Sequence, residues 1–159
     1  LVKKMPESYR IDRDRISLTG LSMGGTGTWP ALLEAPDLYA AAVPFCGRPW
    51  TEPDVIASKL LNCPVWNVVG GGDDQVFVNG AKIMHTALLN KGADTQLTIV
   101  PNVGHHVWML YYNNPEFYHW VIRQVRPTKE MQTQADGFRK LQSKENVLVA
   151  FENNSSVMK

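Results

Sequence analysis

A serine set among glycines, Gly20-Leu21-Ser22-Met23-Gly24-Gly25, follows directly on the apolar run Ile16-Ser17-Leu18-Thr19 and precedes the segment Trp29 to Leu38. A strand that ends here must reverse into a helix within a residue or two, and only positions without a bulky Cβ let the two backbones approach so closely. Such a turn lifts the Ser22 hydroxyl clear of the sheet edge. A glycine-rich turn that merely opens a helix has the same letters, so the surrounding sequence has to separate the two readings.

Three further runs read as strands: Ala40 to Phe45, Val65 to Val69 and Gln96 to Val100. Between and after them lie segments with helical spacing, from about Gly25 to Glu34, Pro53 to Leu61, Asn79 to Lys91 and Pro115 to Val125. In the third, Ile83, Ala87 and Leu88 are expected on the packed face, with Gly92 as the helix stop. The first residues, LVKKMPESYR, read as the end of a helix under way near Tyr9. Alternation of strand and helix predicts a parallel sheet with helices on both faces.

Ligands and active groups of open parallel sheets gather at the carboxyl ends of the strands. After the third strand candidate the chain reads Val69-Gly70-Gly71-Gly72-Asp73-Asp74, and after the fourth Pro101-Asn102-Val103-Gly104-His105-His106. A serine hydroxyl becomes a competent nucleophile when a histidine removes its proton, and a carboxylate holds that histidine in the right tautomer. Serine, acid and histidine occur here in that order, each at the end of a strand. The backbone N–H of Met23, directly after the serine, is placed for a developing oxyanion.

The stretches RISLTGLSMGGTGTW, PVWNVVGGGDDQV and VPNVGHHVW resemble the α/β-hydrolase superfamily, and within it the dienelactone-hydrolase and prolyl-oligopeptidase-like esterases, over roughly residues 1–125. The resemblance implies Ser22 as nucleophile, Asp73 as acid and His105 as base, with Asp74 the alternative carboxylate one position on. It implies hydrolysis of a carboxylic ester through an acyl-enzyme and no cofactor. Two rival readings are a peptidase of prolyl-oligopeptidase type and a non-catalytic binding or scaffold protein retaining the fold. The family pattern differs at Val69, where it has histidine, and at Phe77, where it has proline. Only the last four strands of the family's sheet find counterparts, so the fold is expected to be incomplete, with its first half, including a second oxyanion donor, as the partner that completes it.

Other features exclude more than they assign. Sixteen basic against 15 acidic residues leave a formal charge of +1, which offers no electrostatic footprint for nucleic acid. No window approaches a membrane-spanning apolar stretch. Gly70-Gly71-Gly72 lacks the Lys-Ser/Thr of a phosphate loop, and His105-His106 lacks the companions of a zinc site, so no metal is expected. Cys46 and Cys63 read as small buried residues, a disulfide being the alternative. Trp29 is expected in the core, His85 and His119 at the surface or in packing roles, and Asp12-Arg13-Asp14-Arg15 as a solvated turn. Trp108 is placed as a substrate contact, and with Tyr111 and Tyr112 it fits either a cleft wall or core. The organisation expected is a hydrolase portion over 1–127 and a polar extension over 128–159, whose only apolar run is Val147 to Phe151.

Overall fold

The computed structural model describes residues 2–137 and 139–140. The run Val147 to Phe151 and most of the polar extension lie outside the described residues. Two compact units divide the chain, Leu1–Arg126 and Pro127–Lys159. In the second, residues 129–137 are helical.

The first unit runs α1 (Met5–Ser8), β1 (Ser17–Leu21), α2 (Met23–Glu34), β2 (Ala41–Phe45), α3 (Pro53–Lys59), β3 (Val65–Gly70), α4 (Gln75–Asn90), β4 (Thr95–Val100), α5 (Trp108–Tyr112) and α6 (Pro115–Arg123). The four strands form one parallel sheet in the order β1-β2-β3-β4. Its central strand β2 is buried at every residue, as a strand covered on both faces must be.

Register assigns the two faces. Val43 and Phe45 of β2 share a face with Trp66 and Val68 of β3, and Trp66 donates its indole N–H to Thr98 Oγ1 of β4 at 2.9 Å. Against this face α5 and α6 lay an aromatic cluster: Tyr111 contacts Phe45 and Trp66, Phe117 contacts Phe45, and Trp120 contacts Trp66 at 5.2 Å between centroids. The opposite face carries Ala42 and Val65, packed with Trp29 and Leu32 of α2, Ile56 and Ala57 of α3, and Met84 and Leu88 of α4. Asn67 also points this way, its side-chain amide donating to the Ala81 carbonyl. Tyr111 and Tyr112 both pack on Phe45, and burial raises the Tyr111 phenol above its ordinary pKa.

Several element boundaries differ from the sequence expectation for local reasons. Helix α2 begins at Met23, immediately after the serine, and continues through Pro30. That proline removes the hydrogen bond to the Thr26 carbonyl, and burial of Trp29 and Leu32 on either side of it offsets the loss. Helix α4 starts at Gln75 because Asp74 accepts a hydrogen bond from the Val76 N–H at 3.0 Å, the N-cap contact that sets a helix start. Starting a turn earlier, it buries Val78, Ala81, Met84, Ala87 and Leu88 and leaves Ile83, expected on the packed face, 56% exposed. It ends as expected: Gly92, at φ 73°, donates to the Leu89 carbonyl while Ala93 donates to Leu88, the paired bonds of a left-handed C-cap.

At the N-terminus α1 is a single turn with Pro6 at its start, where a missing N–H costs nothing. The Asp12–Arg15 run is more than a solvated turn. Asp14 receives the Arg126 guanidinium at 2.6 Å, and Arg15 donates to the Ile122 carbonyl at the end of α6. Cys46 and Cys63 are both buried free thiols, with no disulfide between them.

Candidate active site

Three strand ends converge on Ser22. The serine sits between β1 and α2 at φ 54°, ψ −114°, a strained conformation for a residue with a side chain. Its own N–H bonds to the Phe45 carbonyl at the end of β2, and its carbonyl accepts from Thr26 in the next turn. A Cβ on Gly20 would run into the Gly24 carbonyl, so the bend tolerates only glycine there. Met23, first residue of α2, belongs to the helix turn whose N–H groups have no intrahelical acceptor, and its side chain is exposed.

After β3, the loop Gly71–Asp74 carries both acids. Asp73 is buried at its side chain, 4% exposed, while Asp74 turns away to cap α4. After β4, Asn102 at φ 58° turns the chain toward His105, a left-handed position that asparagine accepts more readily than most residues. The two loops are in backbone contact. Gly72 donates to the Val103 carbonyl at 2.8 Å, and a Cβ on Gly70 would overlap the carbonyls of both Val103 and Gly104.

The side chains complete one hydrogen-bonded line. His105 Nε2 lies 2.7 Å from Ser22 Oγ, and its Nδ1 lies 2.8 and 3.0 Å from the two carboxylate oxygens of Asp73. The imidazole is framed by Phe77 at 4.9 Å and by Trp108, nearly perpendicular at 85° and 5.3 Å. His106 packs against Trp108 at 5.1 Å. Ser22, Asp73 and His105 are therefore together, Met23 adjoins the serine, and Trp108 adjoins the histidine. His85 and His119 are apart from this line, the former bonded to Thr95 and the latter paired with Glu116.

Two neighbours of the line were not singled out from sequence. Phe77 stood out only as a departure from a pattern, and its ring contact depends on where α4 begins. Cys46 carried no motif at all. Its Sγ, a carboxylate oxygen of Asp73 and a ring nitrogen of His105 lie within 4.8 Å of one another, the set of metal-ligand type found among the described residues. Burial, with the Asp73 carboxylate adding to it, pushes the Cys46 thiol up to about 12. Asp73 and His105 are engaged with each other.

A parallel sheet with helices on both faces, a strained serine between strand and helix, and acid and histidine loops at the next strand ends define the α/β-hydrolase fold. The chain belongs to the dienelactone hydrolase family, whose pattern matches residues 1–111. Among curated proteins it is 29% identical to a putative carboxymethylenebutenolidase of Salmonella typhimurium, over 59% of this chain and 37% of that protein. It is 27% identical to an uncharacterized secreted protein of Arthroderma benhamiae, over 60% of this chain and 13% of that one. The chain thus spans little more than a third of the length of these relatives, or less. Among solved structures, a thermostable esterase superposes with a TM-score of 0.71 at 32% identity, covering 79% of this chain and 35% of that one. An acylaminoacyl peptidase of Pyrococcus horikoshii, at TM-score 0.65 and 16% identity over 81% of this chain and 27% of that one, shares the fold.

Among the described residues, no helix is long and apolar enough to cross a membrane.

Proposed function

We propose that this chain carries the catalytic residues of a serine hydrolase acting on a carboxylic ester. The observation that carries the reading is the unbroken line from Ser22 Oγ through His105 to the buried Asp73 carboxylate. Membership of the dienelactone hydrolase family and the 32% likeness to a thermostable esterase favour an ester over an amide.

In this reading His105 Nε2 takes the Ser22 proton as Oγ bonds to the ester carbonyl carbon. Asp73 holds Nδ1 protonated and steadies the imidazolium that results. The carbonyl oxygen gains negative charge and is met by the Met23 N–H. Collapse of the tetrahedral intermediate breaks the bond to the alcohol, which leaves with the proton from His105. A water then gives its proton to His105 as its oxygen bonds to the acyl carbon, and the bond to Oγ breaks as His105 returns the proton to Oγ, releasing the acid and the free serine. In the same reading Trp108, beside the imidazole, contacts the substrate.

The test is covalent labelling of the full-length protein with a fluorophosphonate, the adduct mapped by mass spectrometry. Modification at Ser22, abolished by Ser22→Ala and accompanied by turnover of a p-nitrophenyl ester, is the expected result. Labelling at a different serine, or unchanged labelling in the variant, overturns the assignment. Hydrolysis of a p-nitroanilide at a rate matching the ester would move the substrate class to peptides.

A further inference from the structure

We propose that Cys46 is a positioning residue for the His105–Asp73 pair, a neutral thiol that ties the histidine loop to the end of β2 beneath the carboxylate. The inference rests on the hydrolase reading above for its consequence in turnover, and on geometry for its cause.

The end of β2 holds two of the site loops and the strand that leads into the third. Phe45 accepts the Ser22 N–H, Cys46 donates its own N–H to Val68 of β3, and the Cys46 thiol donates to the carbonyl of His105 itself, Sγ to oxygen 3.2 Å. The same sulfur lies within 4.8 Å of an Asp73 carboxylate oxygen and a His105 ring nitrogen. The thiol proton goes to the backbone of the base, with the side chain of the acid close by. That bond needs the protonated form, and complete burial of Cys46 keeps it in that form.

The backbone makes the choice of residue informative. Cys46 stands at φ 49°, in the left-handed region where glycine is cheaper than any residue bearing a Cβ. A side chain placed there at conformational cost has something to hold, and what this one touches is His105. A packing role alone would ask for volume; this position supplies a donor.

The titratable groups around the imidazole are Asp73, Cys46 and His106. The thiol holds the His105 carbonyl, and with it the ring that spans Asp73 and Ser22. Removing the donor therefore lets the histidine loop shift against both partners.

The experiment compares Cys46→Ala, Cys46→Gly and Cys46→Ser in the full-length protein. Glycine suits the backbone angle, so it carries the test should alanine fail to fold. We expect kcat to fall roughly ten-fold in the alanine and glycine variants, the worth of one hydrogen bond, with KM little changed. Serine, which keeps a donor, should restore most of kcat. Equal losses in all three variants, or unchanged kcat in alanine and glycine, overturn the proposal. Should wild-type turnover not exceed that of Ser22→Ala, the hydrolase reading itself has failed. The Cys46 inference is then decided by the NMR resonance of the His105 Nδ1 proton, which needs no substrate: a displaced or broadened resonance in alanine and glycine but not serine upholds it, and an unchanged resonance rejects it.

Discussion

Asp73 and Asp74 are adjacent in the chain and face opposite tasks. Asp73 turns both carboxylate oxygens to His105 Nδ1, whereas Asp74 turns Oδ1 to the Val76 N–H and caps α4. Asp73 also accepts the N–H of Asp74 at 2.7 Å, which fixes the peptide between them and keeps the two side chains apart. The buried carboxylate is the one at the imidazole; the exposed one is a helix start.

Substitutions should separate these tasks. Asp73→Asn keeps the shape but presents the wrong partner to Nδ1, and ester turnover is expected to drop by about four orders of magnitude. Asp74→Asn retains an N-cap acceptor and should leave both turnover and stability nearly unchanged. Asp74→Ala should cost about 1 kcal/mol of stability with turnover intact. Steady-state kinetics and denaturant melts on the three variants check this; a dead Asp74→Asn enzyme would exchange the two roles.

The order of the strands and the three site loops were legible in the sequence because each depends on local chemistry. The glycines around Ser22 announce a sharp turn, and acid and histidine follow apolar runs that can only be strands. The start of α4 was not legible, since Asp74 could have been either acid or cap and only the three-dimensional loop decides. With the start misplaced, Ile83 was assigned to the packed face and the contact of Phe77 with His105 went unseen. Helix α5 was missed for another reason. Its five residues, WMLYY, show no period long enough to recognise, and its aromatics are held by Phe45 and Trp66, far off in sequence. Cys46 likewise acquires its neighbours only when β2 and β3 pair.

Gly70 joins the acid loop to the histidine loop by the absence of a side chain. A methyl there would overlap the carbonyls of Val103 and Gly104, so Gly70→Ala should force the loops apart. We expect a loss of about 1–3 kcal/mol from overpacking and a fall in turnover of order a hundred-fold, as a misplacement near 1 Å produces. Gly27→Ala is the control. It lies in α2 with nothing near the added methyl and should be neutral or stabilising by about 0.5–1 kcal/mol. Thermal melts and p-nitrophenyl ester kinetics distinguish the two.

Both thiols should be silent in the native protein. Cys46 and Cys63 are 0% and 2% exposed, and burial pushes each up to about 12, so neither presents a thiolate near neutral pH. A chromogenic disulfide reagent is expected to titrate no thiol under native conditions and two in denaturant, with no change on prior reduction. A thiol that reacts at once in the folded protein would contradict this burial.

His85 gives the fold a pH dependence of known sign. On α4, with Nδ1 3.1 Å from Thr95 Oγ1 at the start of β4, it is partly withdrawn from water, and that desolvation lowers its pKa below the ordinary value of about 6.5. A histidine with a depressed native pKa binds its proton more readily in the unfolded chain. Between the two values the unfolded state holds the larger number of protons, so stability rises with pH across that window. The contribution is whole above about pH 6.5 and is lost as the pH falls from there through the native value. His85→Gln keeps a polar partner for Thr95 and has nothing to titrate. Denaturant unfolding at a series of pH values from 7.5 downward should therefore show wild type losing stability faster than the variant below about pH 6.5, with the two curves parallel above it. Parallel curves throughout would mean that His85 titrates alike in both states, and a steeper fall in the variant would reverse the sign of its shift.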